Sequence, residues 1–156
     1  MTDAGGADAR WAGRRRARAA ALQVLYECEV GHLALGEAMG VLDRVGEPEA
    51  PAIDAADRAF AEALARGVLA DGAALDERIG QAARHWRVER MATLDRIVLR
   101  LAVHEWVARP ETPPRVVINE AIELARAFSG EDAAKFVNGV LDGVFRTLKA
   151  EGRVVE

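Results

Sequence analysis

Arginines, whose side chains can bind phosphate, are concentrated near the start of this 156-residue sequence, and no acidic residue separates them. Guanidinium groups keep a positive charge and donate paired hydrogen bonds to phosphate oxygens. The chain has a net charge of −4, so one basic segment precedes an acidic remainder. This distribution favours local contact with a nucleic-acid backbone, although a terminal arginine run can also serve only solubility. The five arginines are Arg10, Arg14, Arg15, Arg16 and Arg18.

Groups that could catalyse a reaction or hold a metal form no recognisable motif. The three histidines are far apart and do not form a pair of metal ligands. Cys28 lies on an apolar helical stripe, which predicts a core residue rather than a nucleophile, and it has no second cysteine to pair with. Glu120 and Glu123 share a helix face but lack the histidine of a carboxylate metal motif. Phosphate-binding and dinucleotide-binding glycine motifs are also missing. We therefore expect no catalytic residue, metal or cofactor.

The composition favours an all-helical protein of the reducing cytoplasm. Hydrophobic residues make up 51% of the chain and aromatic residues only 5%, with alanine and leucine dominant. No apolar run approaches the ~20 residues that cross a bilayer. The N-terminus lacks the apolar segment of a signal peptide.

The arginines fall at the predicted start of the first helix. We expect residues 1–12 to form a disordered tail and the helix to run from near Arg14 to about Val30. Ala17, Ala21, Val24 and Cys28 recur at helical spacing and form its apolar stripe. A helix anchored in this way would hold the arginines without the entropy cost of a flexible arm.

The middle of the chain predicts shorter helices. A weak helix is expected over 35–45, and the proline-containing loop 46–52 is the best candidate for a linker between subdomains. A third helix should begin near Asp54 and stop at Asp71-Gly72. A short helix over 73–83 should follow it.

Three stronger helices are predicted in the C-terminal half. The first should begin with Thr93 as its N-cap, end before Pro110, and lie at the centre of the bundle because its apolar face is broad. The second should begin with prolines and end at Phe128, which we expect to point inward. Ser129 is the predicted cap of the last helix, with Asp132 three residues on as in a capping box.

Three segments together resemble the NusB transcription antitermination family. They are GRRRARAAALQVLYE, LDRIVLRLAVHEW and VVINEAIELARAFSGEDAAKFVNGVLD, at 13–27, 94–106 and 116–142. The third is the most specific, because helical periodicity alone would not produce it. The resemblance implies an all-α fold with two packed three-helix subdomains, about 13–72 and 73–150, within one RNA-binding domain over 13–150. It also implies that the arginine-rich start of the first helix lies on the surface.

The resemblance also implies a function. NusB-like proteins pair with ribosomal protein NusE and bind the single-stranded boxA signal in RNA. This assembly joins the RNA polymerase antitermination complex, promotes read-through of terminators and supports ribosomal RNA synthesis. We therefore expect a cytoplasmic RNA-binding factor that is not an enzyme and has no membrane partner.

The resemblance assigns RNA binding to two groups of residues. The arginines match the basic motif of the family, and Lys135 beside Phe136 matches its RNA surface. A lysine for phosphate beside an aromatic ring for base stacking suits single-stranded RNA. Phe136 could instead belong to the core, and Asp132, which matches the same surface, could instead cap its helix. The RNA-binding residues are predicted to be Arg14, Arg15, Arg16, Arg18, Asp132, Lys135 and Phe136.

Tyr26 and Asp95 match positions of the NusE-binding surface. A tyrosine beside an apolar face is a common interface anchor, whereas Asp95 could simply favour the N-terminal turn of its helix. His104 stands where the family often has tyrosine, which could add pH sensitivity. Asn138 and Gly139 are unusual inside a helix and indicate close backbone packing or a polar contact.

Two other functions remain open from the sequence. A related domain forms the RNA-binding part of some ribosomal RNA cytosine methyltransferases, but those chains continue into a Rossmann-like domain, and this one stops at Glu156. The other is a protein-interaction module that has lost RNA binding. NusB-like proteins occur as monomers and as homodimers, so the resemblance leaves open whether this chain forms a homodimer.

Overall fold

The computed structural model describes residues 4–44 and 53–155, and every regular element within these ranges is helical. The predicted all-α class is confirmed. A short 3-10 turn lies at Val88–Arg90. The α-helices are α1 (Ala4–Val30), α2 (Leu35–Arg44), α3 (Ala55–Ala82), α4 (Thr93–Ala108), α5 (Pro114–Ser129) and α6 (Glu131–Ala150).

Helix α1 begins earlier than the sequence predicted. It starts at Ala4 rather than near Arg14, so the prediction of a disordered tail is wrong from Ala4 onward. Several alanines in this stretch favour the helical backbone and extend it ahead of the arginines. The predicted end is confirmed: the N–H of Gly31 bonds to the carbonyl of Glu27, and His32 then adopts a φ of 55°.

The chain divides into two compact units, Met1–Arg66 and Gly67–Glu156, called unit 1 and unit 2 below. The division falls inside α3, earlier than the predicted boundary near residue 72. At Asp71, φ is −108° and ψ is 15°, a non-helical backbone that separates two helical segments of α3 across a kink. The predicted break at Asp71-Gly72 is therefore confirmed. The loop 46–52, interpreted as a linker, lies outside the described residues.

Helices α1 and α2 pack together in unit 1. The apolar residues that α1 buries are small or aliphatic, which lets its neighbours approach closely. Phe60 and Leu64, from the part of α3 in this unit, belong to the same core and are 4% and 1% exposed. The buried apolar side chains of α1 are Ala17, Ala20, Ala21, Leu22, Val24 and Leu25.

Helices α4, α5 and α6 all pack against one another in unit 2. The broad apolar face predicted for α4 is buried, and its predicted place at the centre of the bundle stays a prediction. Burial of each large aliphatic side chain stabilises the fold by about 1.5–3 kcal/mol. Two glycines allow especially close contacts: a Cβ on Gly143 would lie 3.1 Å from the Cβ of Ala82, and one on Gly67 would collide with His104. The core residues of α4 are Ile97, Val98, Leu99, Leu101, Ala102, Val103 and Trp106.

Three local predictions in unit 2 are wrong. Thr93 is the first residue of α4 rather than its cap, because Ala92 takes the N-cap position. Gly130 rather than Ser129 precedes α6, since its φ of 93° reverses the chain between α5 and α6 as glycine does most easily. Phe128 is 41% exposed, and Ala125 provides the buried contact in this part of α5.

Candidate nucleic-acid interface

The predicted arginines of α1 differ in their exposure. Arg15 is exposed, Arg14 and Arg16 are half-buried, and Arg18 is only 7% exposed. Consecutive residues of a helix point in different directions, so one basic run cannot present all its side chains to one side. Arg18 thus departs from the expected surface position. The prediction that these arginines bind RNA fits Arg15 best.

Phe60 explains the positions of Arg14 and Arg18. These arginines are four residues apart and share a face of α1, and their guanidinium carbons lie 4.2 and 5.5 Å from the centre of the Phe60 ring. Such cation–π contacts contribute about 0.5–2 kcal/mol. Nη1 of Arg14 also lies 3.5 Å from a carboxylate oxygen of Asp57, which is itself buried. Both arginines therefore stabilise unit 1, whatever else they bind.

Arg16 is half-buried in a different way. Its Nε is buried and has no hydrogen-bond partner among the described residues. A buried donor left without a partner costs about 1–3 kcal/mol. An added acceptor, such as a phosphate oxygen, would relieve this cost if it reached the Nε.

The three predicted RNA-binding residues of α6 lie on one face of the helix. Asp132, Lys135 and Phe136 have i, i+3 and i+4 spacing, which places side chains next to each other. Asp132 and Lys135 are exposed, and Phe136 is half-buried. The structure thus brings these residues together within unit 2. Asp132 lies in the first turn of α6, where a carboxylate also favours the helix dipole.

Phe136 contacts Trp86, an aromatic residue that is not among the predicted site residues. Its ring lies 5.7 Å from that of Trp86, centre to centre, with the planes at 81°. Trp86 is 62% exposed, so Phe136 belongs to a surface aromatic pair rather than to the deep core. The sequence contains a pattern that could have identified Trp86 as a binding residue: residues 84–87 read RHWR, a tryptophan between basic residues.

Asn138 and Gly139 do not make the close packing that the sequence suggested. Both are exposed. A Cβ on Gly139 would meet no atom within 4 Å, so no neighbouring backbone requires glycine there. The close approach of α6 occurs instead at Gly143, against Ala82.

We expect Gly139→Ala to stabilise the protein by about 0.5–1 kcal/mol, because alanine favours the helix and the space around it is open. This corresponds to a rise in melting temperature of about 1–4 °C. Thermal unfolding followed by circular dichroism would measure it. A lower melting temperature would show that the added methyl group meets an obstacle.

The two predicted partner-binding residues lie in different units. Tyr26 is 36% exposed on α1 in unit 1. Asp95 is half-buried in the first turn of α4, where burial raises the pKa of its carboxyl and a hydrogen bond from Ser129 partly offsets the rise. One of its oxygens is buried without a hydrogen-bond partner in the described structure. A hydrogen-bond donor from a partner protein would be favourable at this oxygen. Partner binding by Asp95 stays a prediction.

In the part of the chain that the structure describes, Cys28 and the histidines are not arranged for nucleophilic or metal chemistry. Burial raises the pKa of the Cys28 thiol, with a smaller contribution from Glu27, which disfavours the reactive thiolate. Cys28 and His32 are four residues apart, but no group of three metal-ligating side chains forms within 4–44 and 53–155. Nor does any helix in those ranges have the length and apolarity needed to cross a membrane.

Most of the chain matches a known protein family. Residues 15–146 match the NusB family. The transcription antitermination protein NusB of Geotalea uraniireducens is 42% identical over 141 residues, which cover 86% of this chain and 95% of that protein. The corresponding protein of Sorangium cellulosum is 43% identical over 143 residues, 90% of this chain and 95% of its own.

Solved structures show the same fold. NusB of T. maritima is 30% identical and superimposes with a TM-score of 0.73, over 85% of this chain and 90% of that one. A chain from a crystal structure of antitermination factors NusB and NusE in complex with double-stranded RNA is 26% identical. Its TM-score is 0.74, over 86% of this chain and 97% of that one.

Proposed function

Because this chain belongs to the NusB family, we propose that it is a transcription antitermination factor that binds boxA-type single-stranded RNA together with ribosomal protein NusE. The observation that carries the proposal is its similarity to a NusB protein crystallised with NusE and RNA. In this role it joins the RNA polymerase antitermination complex and supports ribosomal RNA synthesis.

The arrangement of the side chains is suited to this function. Arg15 and Arg16 offer positive charge on α1. Lys135 and Phe136 combine a cation with an aromatic ring on α6, which are the elements that hold the backbone and bases of a single strand. Tyr26 and Asp95 are the residues proposed to contact NusE.

The relatives are transcription antitermination proteins. We infer from this that the present protein has no catalytic activity of its own. The cytoplasm, where transcripts are made, is the location that this function requires. A homodimer that covers part of the α1 surface before RNA arrives is compatible with it.

Double-stranded RNA is a second candidate ligand, because the solved NusB–NusE complex contains it. Recognition of a duplex depends on shape and phosphate contacts, whereas an exposed aromatic ring reads unpaired bases. The surface pair of Phe136 and Trp86 therefore favours a single strand.

We expect the purified protein to bind a short boxA-type RNA weakly alone and more tightly with cognate NusE. Fluorescence anisotropy at low and high salt would measure this, with a scrambled strand and a duplex as controls. For each phosphate neutralised on a single strand, the logarithm of the binding constant should fall by about 0.7 for every tenfold rise in salt concentration. Equal affinity for the scrambled RNA would contradict sequence-specific binding. If NusE binds but no RNA does, the chain is an interaction module.

A further inference from the structure

Trp86 is a large aromatic residue that the core of unit 2 does not use. It lies in the turn after α3, and its backbone N–H donates to the carbonyl of Ala83 at 2.7 Å. Ala83 and Val88 on either side are buried and anchor the turn. The turn therefore holds the indole at the surface, where 62% of the residue is exposed. An exposed tryptophan on an anchored turn indicates a binding role.

The contact with Phe136 orients this indole. At an angle of 81° the edge of one ring meets the face of the other, an arrangement favoured by the charge distribution of aromatic rings. Phe136 supports Trp86 from the side of α6, while much of the indole remains open to solvent. The two rings thus form one supported aromatic surface.

The charges around Trp86 favour nucleic acid over an apolar protein partner. Arg84, His85 and Arg87 are all exposed on the same segment, and Lys135 precedes Phe136 on α6. Glu89 is the nearest acid along the segment and comes after it, in the 3-10 turn. An aromatic residue flanked by cations is the arrangement that binds single strands, with bases on the ring and phosphates on the cations.

We propose that Trp86 and Phe136 form a stacking platform for a base of single-stranded RNA, with Arg84 and Arg87 contacting its flanking phosphates. The proposal rests on the proposed RNA-binding function and adds a contact that neither the arginines of α1 nor the predicted residues of α6 provide. It also gives Phe136 a double role, as support for Trp86 and as part of the binding surface.

The first test compares Trp86→Ala and Trp86→Phe with the wild-type protein in titrations of short single-stranded RNA. Trp86→Ala should bind about tenfold more weakly, which corresponds to about 1.4 kcal/mol of lost stacking. Trp86→Phe keeps an aromatic face and should recover most of the affinity. Phe128→Ala, which removes another exposed aromatic side chain of unit 2, should bind as the wild type does.

A second test leaves Trp86 in place and so does not depend on the folding of an alanine variant. In a Trp11→Phe background, only Trp86 and the buried Trp106 contribute tryptophan fluorescence. Stacking of a base on the indole should quench the emission of Trp86 as unlabelled RNA is added.

The outcomes separate this proposal from the proposed function. Weakened binding by Trp86→Ala, together with quenching, supports the platform. Wild-type affinity in Trp86→Ala, or unchanged emission of Trp86, overturns the platform but leaves RNA binding intact. If Trp86→Ala loses affinity for NusE while RNA affinity is unchanged, the surface serves a protein partner and the platform is overturned. Failure of the wild-type protein to bind any RNA overturns both.

Discussion

Gly13→Ala should lower the melting temperature by about 4–8 °C, equivalent to about 2 kcal/mol. A Cβ at this position of α1 would collide with one carboxylate oxygen of Asp57 and would lie 3.0 Å from its Cγ. Asp57 is 8% exposed and paired with Arg14, so its carboxylate cannot move away without breaking that contact. Thermal unfolding by circular dichroism would measure the change.

A double-mutant cycle identifies the cause. In an Asp57→Ala background the carboxylate is absent, so Gly13→Ala should be neutral or slightly stabilising there, as alanine is in an open helix. Gly139→Ala is the matched control, because it makes the same change within a helix where no atom lies within 4 Å. An equal loss of stability in both backgrounds would rule out the proposed collision with Asp57.

The sequence predicted helix faces well, because a helix face depends on spacing within a single segment. The buried residues of α6 show this: Val137, Val140, Leu141, Val144 and Leu148 are all inside, as predicted. The end of α1 at Val30 and the broad buried face of α4 follow from local signals of the same kind. The candidate site residues came from the family resemblance, and they lie on helices that the sequence predicted.

Contacts between distant segments could not be predicted in this way. Arg18 is buried because Phe60, far along the chain, lies beneath its guanidinium group, and nothing near Arg18 in the sequence shows that. Trp86 lies in a turn without periodicity, so its contact with Phe136 appears only when α6 is placed beside it.

The four arginines of α1 differ in what they contact, and this difference identifies the pair to test for RNA binding. Arg14 and Arg18 lie against Phe60, so replacing them would disturb unit 1 as well as any RNA contact. Arg15 is exposed and Arg16 half-buried with an unsatisfied Nε among the described residues. Of the four arginines, Arg15 and Arg16 therefore allow the clearest test of RNA contact.

The double reversal Arg15→Glu/Arg16→Glu should weaken binding of single-stranded RNA by about 10- to 100-fold at low salt, because it removes two phosphate contacts and adds repulsion. The slope of the logarithm of the binding constant against the logarithm of the salt concentration should become shallower by about 1.4, since each phosphate contact on a single strand contributes about 0.7. Anisotropy titrations over a range of salt concentrations would measure both quantities.

The control must carry the same net charge, because charge alone changes the attraction of RNA to the whole protein. Arg66→Glu/Arg146→Glu meets this need: both side chains are exposed and form ion pairs within their own helices, with Glu62 and Asp142. We expect this variant to lose little affinity and to keep the wild-type salt slope. If both double variants lose affinity equally, the arginines of α1 act through net charge alone. If neither loses affinity while NusE still binds, their role is solubility, and RNA contact must be sought on α6 and the turn of Trp86.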